Sequence, residues 1–240
     1  MFASPPRTSG KERFGGYTVR ILDGPSFYIQ FKDEFIRRIY HFESSRPDPL
    51  IIDGGGNIGM SVLYFKSIYP AARIVCFEPD PTVFNVLTEN VEGNHLNNVT
   101  LVNAGLGGEA GMVAFEPDGS DGGRTAASGR MEVRMERLSA HLSEPVDFLK
   151  LNIEGEELPV LQDAATNGLL RNVREMVVEY HGWPGGDQRL DEILAILDRH
   201  RFRYLVHDFD AETNDASKPP FRLRPDTPWF CLVYARRTDD

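Results

Sequence analysis

Residues 50–59 constrain the fold of this chain more than any other segment. They read Leu-Ile-Ile-Asp-Gly-Gly-Gly-Asn-Ile-Gly, so an apolar strand ends at a carboxylate and runs into a glycine-rich turn. Glycine lets the backbone bend sharply and approach a ligand closely, and the helix predicted to begin near Asn57 presents unpaired N–H groups in its first turn. The segment therefore predicts a strand, a turn and a helix around a nucleotide-binding crevice. Its candidate ligand-binding residues are Asp53, Gly54, Gly55, Gly56, Asn57 and Gly59.

Asp53 distinguishes between two kinds of ligand. The spacing Gly54-x-Gly56-x-x-Gly59 fits the dinucleotide pattern, which by itself is weak evidence. A dinucleotide pyrophosphate is anionic and would be repelled by a carboxylate at the strand tip. The ammonium and sulfonium groups of S-adenosylmethionine are cationic and fit there, so we expect this cofactor.

The order of apolar segments predicts an α/β domain. After a connector at 44–49, strand-like runs alternate with helix-like stretches, which is typical of a parallel sheet covered on both faces. The predicted strands are 50–53, 73–77, 99–103, 146–151, 173–180, 202–209 and 229–235. The predicted helices are 57–69, 81–91, 156–165 and 188–200. No helix is evident between the last two strands, which predicts an antiparallel C-terminal hairpin at the sheet edge.

The N-terminal part does not follow this alternation. Residues 17–30 have the pattern of a strand or hairpin, and residues 33–42 are apolar at helical spacing. We predict that 1–48 form a small cap or lid and that 49–240 form the main domain. The aromatic side chains of the cap line an acceptor pocket or simply pack a core, and core packing is the commoner role.

A second irregular part lies in the middle of the chain. Residues 107–115 and 130–136 look like β segments, and 118–129 join them as a loop rich in Gly, Ser and Asp. Loops of this length are usually functional or disordered. We therefore leave open whether this one closes over a ligand.

Composition excludes several classes of protein. A net charge of −10 argues against a nucleic-acid partner, because such binding rests largely on Lys and Arg that neutralise phosphates. Cys76 and Cys231 give no disulfide framework and no metal spacing. No apolar run approaches the roughly 20 residues that a membrane helix needs. We expect a cytoplasmic protein with no membrane span.

Acidic and polar residues end the second and third predicted strands. Glu78, between Phe77 and Pro79, lies where a carboxylate accepts hydrogen bonds from both hydroxyls of a ribose. Its alternative role is to cap the following helix. Asn103 and Ala104 either contact an adenine edge or simply end the third strand.

The fourth and fifth strands also end in polar residues. Asn152 and Glu154 are candidates for the methyl-donor side of the pocket, with helix capping as the alternative for the acid. His181 lies across the crevice from Glu154, and an unperturbed pKa near 6.5 suits a general base, although a single histidine is more often structural. Lys150 lies in an apolar run and needs a partner, which a core ion pair would provide. The histidines give no metal motif.

Four segments carry a resemblance to a known family: 53–59, 77–79, 150–155 and 179–181. In this order and spacing they resemble the FkbM family of S-adenosylmethionine-dependent methyltransferases, from about residue 50 to the C-terminus. The resemblance implies a Rossmann-like class I methyltransferase fold, with a seven-stranded, mostly parallel sheet that contains one antiparallel strand. It also implies O-methylation of a hydroxyl on a natural product or saccharide, with S-adenosylhomocysteine as the product of the donor.

The resemblance assigns roles to individual residues. It implies that Gly55 and Gly59 shape the donor loop and that Asp53 lies near the methionine moiety. It further implies that Glu78 holds the ribose and that residues 103–104 lie near the adenine. His181 and Glu154 remain the two candidates for the catalytic base.

Two residues depart from the family pattern. Asn152 stands where the family usually has aspartate, and Gly56 stands where alanine is common. Losing the aspartate removes a base or cation ligand, which disfavours a divalent-metal mechanism. The base would then be Glu154, His181 or water.

Two other functions fit parts of the sequence. An NAD-dependent or nucleotide-sugar-dependent enzyme would use the same glycine turn. A non-catalytic nucleoside-binding module would be consistent with Asn152. The sequence specifies neither the hydroxylated small-molecule acceptor nor whether the chain forms a homodimer.

Overall fold

A seven-stranded sheet forms the centre of the protein in the computed structural model, which describes residues 9–117, 123–125, 129–184, 188–207, 219–220 and 228–238. In chain order the strands are β1 (Gly10–Phe14), β2 (Tyr17–Ile21), β3 (Leu50–Gly54), β4 (Arg73–Phe77), β5 (Val99–Val102), β6 (Gly105–Gly107), β7 (Gly111–Glu116), β8 (Arg124–Thr125), β9 (Met131–Arg137), β10 (Val146–Leu151), β11 (Val173–Gly182), β12 (Phe202–His207) and β13 (Trp229–Arg237). The α-helices are α1 (Gly24–Phe31), α2 (Met60–Ile68), α3 (Pro81–Gly93), α4 (Glu157–Thr166) and α5 (Leu190–Arg199).

The central sheet has the order β12–β13–β11–β10–β3–β4–β5. Strands β11, β10, β3, β4 and β5 run parallel to one another, and β13 lies antiparallel between β11 and β12. The predicted α/β fold with a seven-stranded, mostly parallel sheet is therefore confirmed. The two C-terminal strands pair antiparallel, although β13 lies inside the sheet and only β12 is at its edge. Most of the chain that connects them lies outside the described residues.

The middle of the sheet is buried on both faces. Every residue of β3 and β10 is buried, which explains why these strands read as continuous apolar runs. Ile52 and Leu149 pack into the core on one face, with side chains of α4 and α5. Ile51 and Phe148 pack into the core on the other face, with side chains of α2 and α3. This two-sided cover leaves the ends of the strands as the place where polar groups meet a ligand.

A smaller sheet has the order β6–β9–β7–β8. Strands β7 and β9 pair antiparallel, so the β segments predicted at 107–115 and 130–136 are confirmed. Phe115, Val133 and Met135 form the buried side of this sheet.

The predicted loop at 118–129 is described only in part. Residues 118–122 and 126–128 lie outside the described residues. Arg124 and Thr125 form β8, which pairs with β7. Closure of this loop over a ligand stays a prediction.

The strand or hairpin predicted over 17–30 matches the structure only in its first part. Strand β2 ends at Ile21, and α1 then begins at Gly24. Asp23 caps the helix, because its side chain accepts a hydrogen bond from the backbone N–H of Ser26 at 2.9 Å. Pro25 lies in the first helical turn, where its missing N–H costs nothing. A capping signal in the sequence therefore outweighed the alternating pattern.

The helix predicted over 33–42 is also shorter than expected. A π-helical segment, Lys32–Arg37, follows α1 directly and ends because Arg38 is left-handed, with φ +58°. The backbone N–H of Arg38 donates to the carbonyl oxygen of Asp33. The described part of the N-terminal segment packs on α2 and α3 through Val19 and Ile21. Its assignment as a separate cap stays a prediction.

Candidate active site

A cleft opens at the carboxyl ends of β3, β4 and β10, where ligands bind in open α/β sheets. It encloses about 870 Å³ of empty space, part of which is open solvent. The charged side chains in its described wall are five acids, Glu34, Glu78, Asp80, Glu154 and Glu156, and two bases, Arg124 and Lys150. The wall is acidic overall, which suits a ligand that carries positive charge.

The glycine turn between β3 and α2 forms part of the wall. Gly55 has a φ of +84°, and a Cβ added to it would lie 1.8 Å from the carbonyl oxygen of Asn152. A Cβ added to Gly56 would lie 2.1 Å from the Sγ of Cys76. Both glycines line the cleft, so a ligand meets bare backbone there.

Helix α2 begins later than the sequence predicts. Gly59, with a φ of +93°, precedes its first residue, Met60. Asn57 lies in the turn and lines the cleft, and its backbone N–H donates to Glu78 Oε2 at 2.9 Å. Gly54 and Gly59 belong to the same turn but do not line the described cleft wall.

Asp53 lies beneath the cleft and not in its wall. Its side chain is fully buried, accepts a hydrogen bond from Ser61 Oγ at 2.5 Å, and lies 2.9 Å from Lys150 Nζ. Burial acts to lower the pKa of Lys150, but Asp53 outweighs this and raises it, so the amine stays protonated at neutral pH. The charge on Asp53 is therefore matched inside the protein. The contact between Asp53 and a cationic ligand that the sequence suggested stays a prediction.

Glu78 lies in the cleft wall, as predicted. Its Oε2 accepts from Asn57 and its Oε1 accepts from the backbone N–H of Asp80, both at 2.9 Å. Burial raises the pKa of Glu78 to about 7, although these two hydrogen bonds act to lower it. An ionised carboxylate has about four lone-pair sites, so acceptor capacity remains for the hydroxyls of a ligand.

The predicted site residues next to Glu78 mainly make hydrogen bonds that involve backbone groups. Phe77 is fully buried, and its carbonyl accepts N–H groups of the glycine turn at 2.8 and 3.1 Å. Asn103 Nδ2 donates to the carbonyl oxygens of Glu78 and Pro79 at 2.9 and 3.2 Å. Ala104 is fully buried, and of these residues only Glu78 and Pro79 line the cleft. Asn103 fixes the loop after β4 through these two hydrogen bonds, and the adenine contact expected of Asn103 and Ala104 stays a prediction.

Sequence reasoning missed an apolar part of the cleft wall beside Pro79, which we call the apolar slot. It consists of Val83, Gly105, Leu106, Phe115 and Met135, and a Cβ added to Gly105 would lie 2.7 Å from Met135 Sδ and 3.5 Å from Pro79 Cβ. The small sheet supplies part of it, and its β pattern was visible in the sequence. The face of that sheet that meets the cleft was not, because it depends on strand register. An apolar slot of this kind suits the face of an aromatic ring.

Three oxygens in the wall have no hydrogen-bond partner among the described residues. They are Gln30 Oε1, Glu34 Oε2 and Asn152 Oδ1. Burial raises the pKa of Glu34 well above its ordinary value, although Lys150 acts to lower it. The sequence predicted Asn152 as a site residue but missed Gln30 and Glu34. The one signal for Glu34 was an acidic pair, Asp33 and Glu34, inside an apolar stretch. Unmatched acceptors favour a ligand that brings hydrogen-bond donors.

His181 is buried and is not in the described cleft wall. Its Nδ1 lies 2.9 Å from Glu157, and its Nε2 lies 3.4 Å from Glu154 and 3.9 Å from Glu179. Burial acts to lower the pKa of His181, but these carboxylates outweigh it and raise the pKa to about 9. The ring is therefore an imidazolium at neutral pH, which donates from both nitrogens and accepts no proton. This geometry favours a role for His181 in positioning carboxylates, and the base role expected from the sequence stays a prediction.

Glu154 lines the cleft from the loop after β10. Its φ is +56°, a conformation uncommon outside glycine, and its carbonyl oxygen accepts from Trp183 Nε1 at 3.3 Å. In the same wall, Thr125 Oγ1 donates to Glu156 Oε1 at 2.9 Å. The Arg124 guanidinium lies 4.6 Å from the centre of the Trp183 ring. These contacts join the small sheet to the loop after β10.

Two kinds of feature are absent from the parts of the chain that the structure describes. No helix there is long and apolar enough to cross a bilayer. No group of three or more His, Cys, Asp or Glu side chains within the described ranges is arranged to hold a metal ion.

Comparisons with known proteins bear on this geometry. The family model "Methyltransferase FkbM domain" matches residues 53–204. The chain is 28% identical over 276 aligned residues to methyltransferase sdnD of Sordaria araneosa, covering 98% of each chain. It is 26% identical over 228 residues to 31-O-demethyl-FK506 methyltransferase FkbM of Streptomyces tacrolimicus, covering 78% of this chain and 86% of that one. The solved structure of M. jannaschii TYW2 in complex with AdoMet superposes with a TM-score of 0.50 at 12% identity, covering 98% of this chain and 89% of that one.

Proposed function

The chain belongs to the FkbM methyltransferase family, and on that premise we propose that it transfers a methyl group from S-adenosylmethionine to a hydroxyl oxygen of a small molecule. The proposed acceptor is a natural product or a saccharide. The name of the relative from Streptomyces tacrolimicus, which specifies an O-demethyl substrate, supports oxygen as the acceptor atom. The AdoMet complex of the similar solved fold supports the choice of donor.

The observation that carries the proposal is the polarity of the cleft wall. Gln30, Glu34 and Asn152 present oxygens that have no partner among the described residues, and the charged side chains beside them are mostly acidic. The ammonium group of S-adenosylmethionine brings N–H donors to such a wall, and together with the sulfonium it outweighs the carboxylate of the tail, so the donor carries net positive charge. A pyrophosphate brings negative charge and acceptors, which disfavours the alternative of an NAD-dependent or nucleotide-sugar-dependent enzyme.

The remaining wall fits the nucleoside part of the same donor. Glu78 would accept hydrogen bonds from the ribose hydroxyls, because its carboxylate retains acceptor capacity and lies in the wall. The apolar slot beside Pro79 would hold the adenine ring. Gly55 and Gly56 allow the turn to pack closely on its neighbours, since a Cβ on either would lie within 2.1 Å of another protein atom.

When bound, the donor supplies a methyl group on a positively charged sulfur, which becomes a neutral thioether as the acceptor oxygen takes the methyl. The chain's contribution is alignment, and holding the two reactants in line provides roughly 7–11 kcal/mol of the barrier reduction. Glu154 lines the cleft and is the proposed base for the hydroxyl proton. A positioned base adds about 10²- to 10⁴-fold in rate. His181 is assigned no proton transfer, because its imidazolium holds Glu154 and Glu157 in place.

Two further expectations, a cytoplasmic location and the absence of a nucleic-acid partner, remain predictions from the sequence. Assembly as a homodimer stays open. A non-catalytic nucleoside-binding module remains the second alternative. Such a module would bind the donor at the same site but would transfer no methyl group, so the following experiment distinguishes it from an enzyme.

The test is methyl transfer from labelled S-adenosylmethionine to a panel of hydroxylated natural products and saccharides. We expect label in at least one acceptor with the wild-type chain and none with Gly55→Ala, whose Cβ would lie 1.8 Å from a backbone oxygen. Labelled nitrogen-methyl product in place of oxygen-methyl product would contradict the acceptor assignment. Donor binding without transfer to any member of the panel would favour the binding module.

A further inference from the structure

The N-terminal segment places one buried carboxylate in the cleft. Glu34 lies on the π-helical segment Lys32–Arg37, outside the matched residues 53–204, and is 6% exposed. Its Oε2 has no hydrogen-bond partner among the described residues. A buried carboxylate oxygen without a partner destabilises the ligand-free protein. The placement is therefore costly unless a ligand supplies the missing donor.

The nearest donors are engaged elsewhere. Lys150 Nζ has three N–H groups and contacts three oxygens: Asp53 Oδ1 at 2.9 Å and two carbonyl oxygens of the glycine turn at 2.8 and 3.3 Å. The Tyr40 hydroxyl donates to Glu179 at 3.2 Å. Both groups line the cleft with Glu34, yet neither offers it a hydrogen bond.

Two other oxygens in the cleft wall also have no hydrogen-bond partner among the described residues. Gln30 donates from Nε2 to Asn57 Oδ1 at 3.1 Å, which leaves its Oε1 as an unmatched acceptor. Asn152 Oδ1 is the third unmatched acceptor of the wall. An ammonium group has three N–H donors. The three unmatched oxygens can therefore accept the three hydrogen bonds that one ammonium group donates.

Aromatic packing fixes the segment that carries Glu34. The rings of Phe31 and Phe35 stack with centroids 5.7 Å apart, and Phe35 meets Tyr64 of α2 edge to face at 5.5 Å. A side chain on a support of this kind is held in place before the ligand arrives.

We propose that Glu34 is a donor-specificity residue whose carboxylate receives the α-ammonium of the amino-acid tail of S-adenosylmethionine, with Gln30 and Asn152 as the other acceptors. This inference rests on the proposed function. It adds that the donor site includes an acidic group from the N-terminal segment, which the matched domain does not contain.

Calorimetric titration with three ligands tests the inference without any turnover. S-adenosylhomocysteine carries the whole tail, its desamino analogue lacks only the ammonium, and 5′-methylthioadenosine lacks the tail. The proteins are wild type, Glu34→Gln and a matched control, Asp33→Asn. Asp33 is buried on the same turn but is not in the described cleft wall, so its variant removes a charge without touching the ligand.

We expect Glu34→Gln to weaken S-adenosylhomocysteine binding about 10- to 100-fold, the effect of losing a charge-assisted hydrogen bond. The same variant should change the affinity for the desamino analogue and for 5′-methylthioadenosine by less than about threefold. Asp33→Asn should leave all three affinities within about threefold. The wild-type protein should bind S-adenosylhomocysteine about 10- to 100-fold more tightly than the desamino analogue. This comparison does not depend on whether a variant folds.

Thermal unfolding of the ligand-free proteins gives a second readout. Because Glu34→Gln removes a buried carboxylate that has no partner for Oε2, the variant should unfold at the same temperature as wild type or higher. A residue with only a structural role would lose stability instead.

Two outcomes of the titration overturn the inference. One is unchanged affinity of Glu34→Gln for S-adenosylhomocysteine, and the other is an equal loss for S-adenosylhomocysteine and 5′-methylthioadenosine. If wild type binds none of the three ligands, the proposed function itself fails and this inference fails with it.

Discussion

Lys150 Nζ lies 2.9 Å from Asp53 Oδ1, and neither side chain is more than 2% exposed. The parallel register of β10 and β3 sets the two residues opposite each other. The carboxylate at the tip of the first parallel strand is therefore paired within the sheet. The acidity that a ligand meets comes instead from the wall, through side chains such as Glu34, Glu78 and Glu154.

Lys150→Met should cost about 3–5 kcal/mol in the free energy of unfolding, because it leaves Asp53 as a buried charge without its cation. Denaturant unfolding at neutral pH measures the loss. The double variant Asp53→Asn/Lys150→Met is the control and should recover part of it, since no charge remains to be matched. A loss below about 1 kcal/mol for the single variant would show that the pair is not coupled as the distance implies.

Gly56→Ala should abolish donor binding because the added Cβ would lie 2.1 Å from Cys76 Sγ. The next contacts of that Cβ are ordinary, at 3.5 and 3.6 Å, so Gly56→Ala/Cys76→Ala should restore binding of S-adenosylhomocysteine. Calorimetry compares the two proteins. Gly55→Ala provides the contrast: its Cβ would meet a backbone oxygen, and no side-chain change relieves that contact. Normal binding by Gly56→Ala alone would contradict the close packing of the turn.

Stability should fall as the pH rises between about 6.5 and 9. The carboxylates around His181 raise its folded-state pKa from 6.5 to about 9 in spite of burial. Its contribution is therefore fully present below pH 6.5 and is lost as the imidazolium deprotonates through about pH 9. The full size is roughly 3 kcal/mol. Burial also raises the pKa of Glu34 and of Glu78, the latter to about 7, so these two groups contribute a slope in any protein that keeps them. Denaturant unfolding across this range should therefore give a steeper slope for wild type than for His181→Gln; matching slopes would mean that His181 contributes nothing to it.

Glu154→Gln should lower turnover about 10²- to 10⁴-fold, because the amide cannot take the hydroxyl proton. Its affinity for S-adenosylhomocysteine should stay within about threefold of wild type, since the base acts on the acceptor. Glu144→Gln is the matched control: this exposed carboxylate pairs with Arg73 before the amino end of β10, away from the cleft. Full turnover by Glu154→Gln would remove the residue from the mechanism.

The sequence predicted the sheet well for a physical reason. Strands such as β3 and β10 are buried on both faces and read as unbroken apolar runs, and the alternation of strands and helices implies a parallel sheet. Polar residues at the strand ends were placed correctly for Glu78, Asn152 and Glu154, because the carboxyl edge of such a sheet is where the cleft forms.

The sequence did not show which of the polar side chains at the strand ends face the cleft. Asp53 and His181 both end strands, yet each is buried against an oppositely charged partner that lies far away in the sequence. Glu34 and Phe115 reach the cleft only through the packing of the N-terminal segment and the small sheet. Contacts over such separations depend on tertiary structure, which the local pattern of one chain does not encode.

The central claim is that the cleft receives a cationic adenosyl donor and not a dinucleotide. Calorimetric titration of the wild-type chain at neutral pH with S-adenosylmethionine, S-adenosylhomocysteine and NAD tests it most directly. The account predicts saturable binding of both adenosyl compounds at one site per chain and no measurable heat with NAD. Saturable binding of NAD, together with no heat from either adenosyl compound, would contradict it.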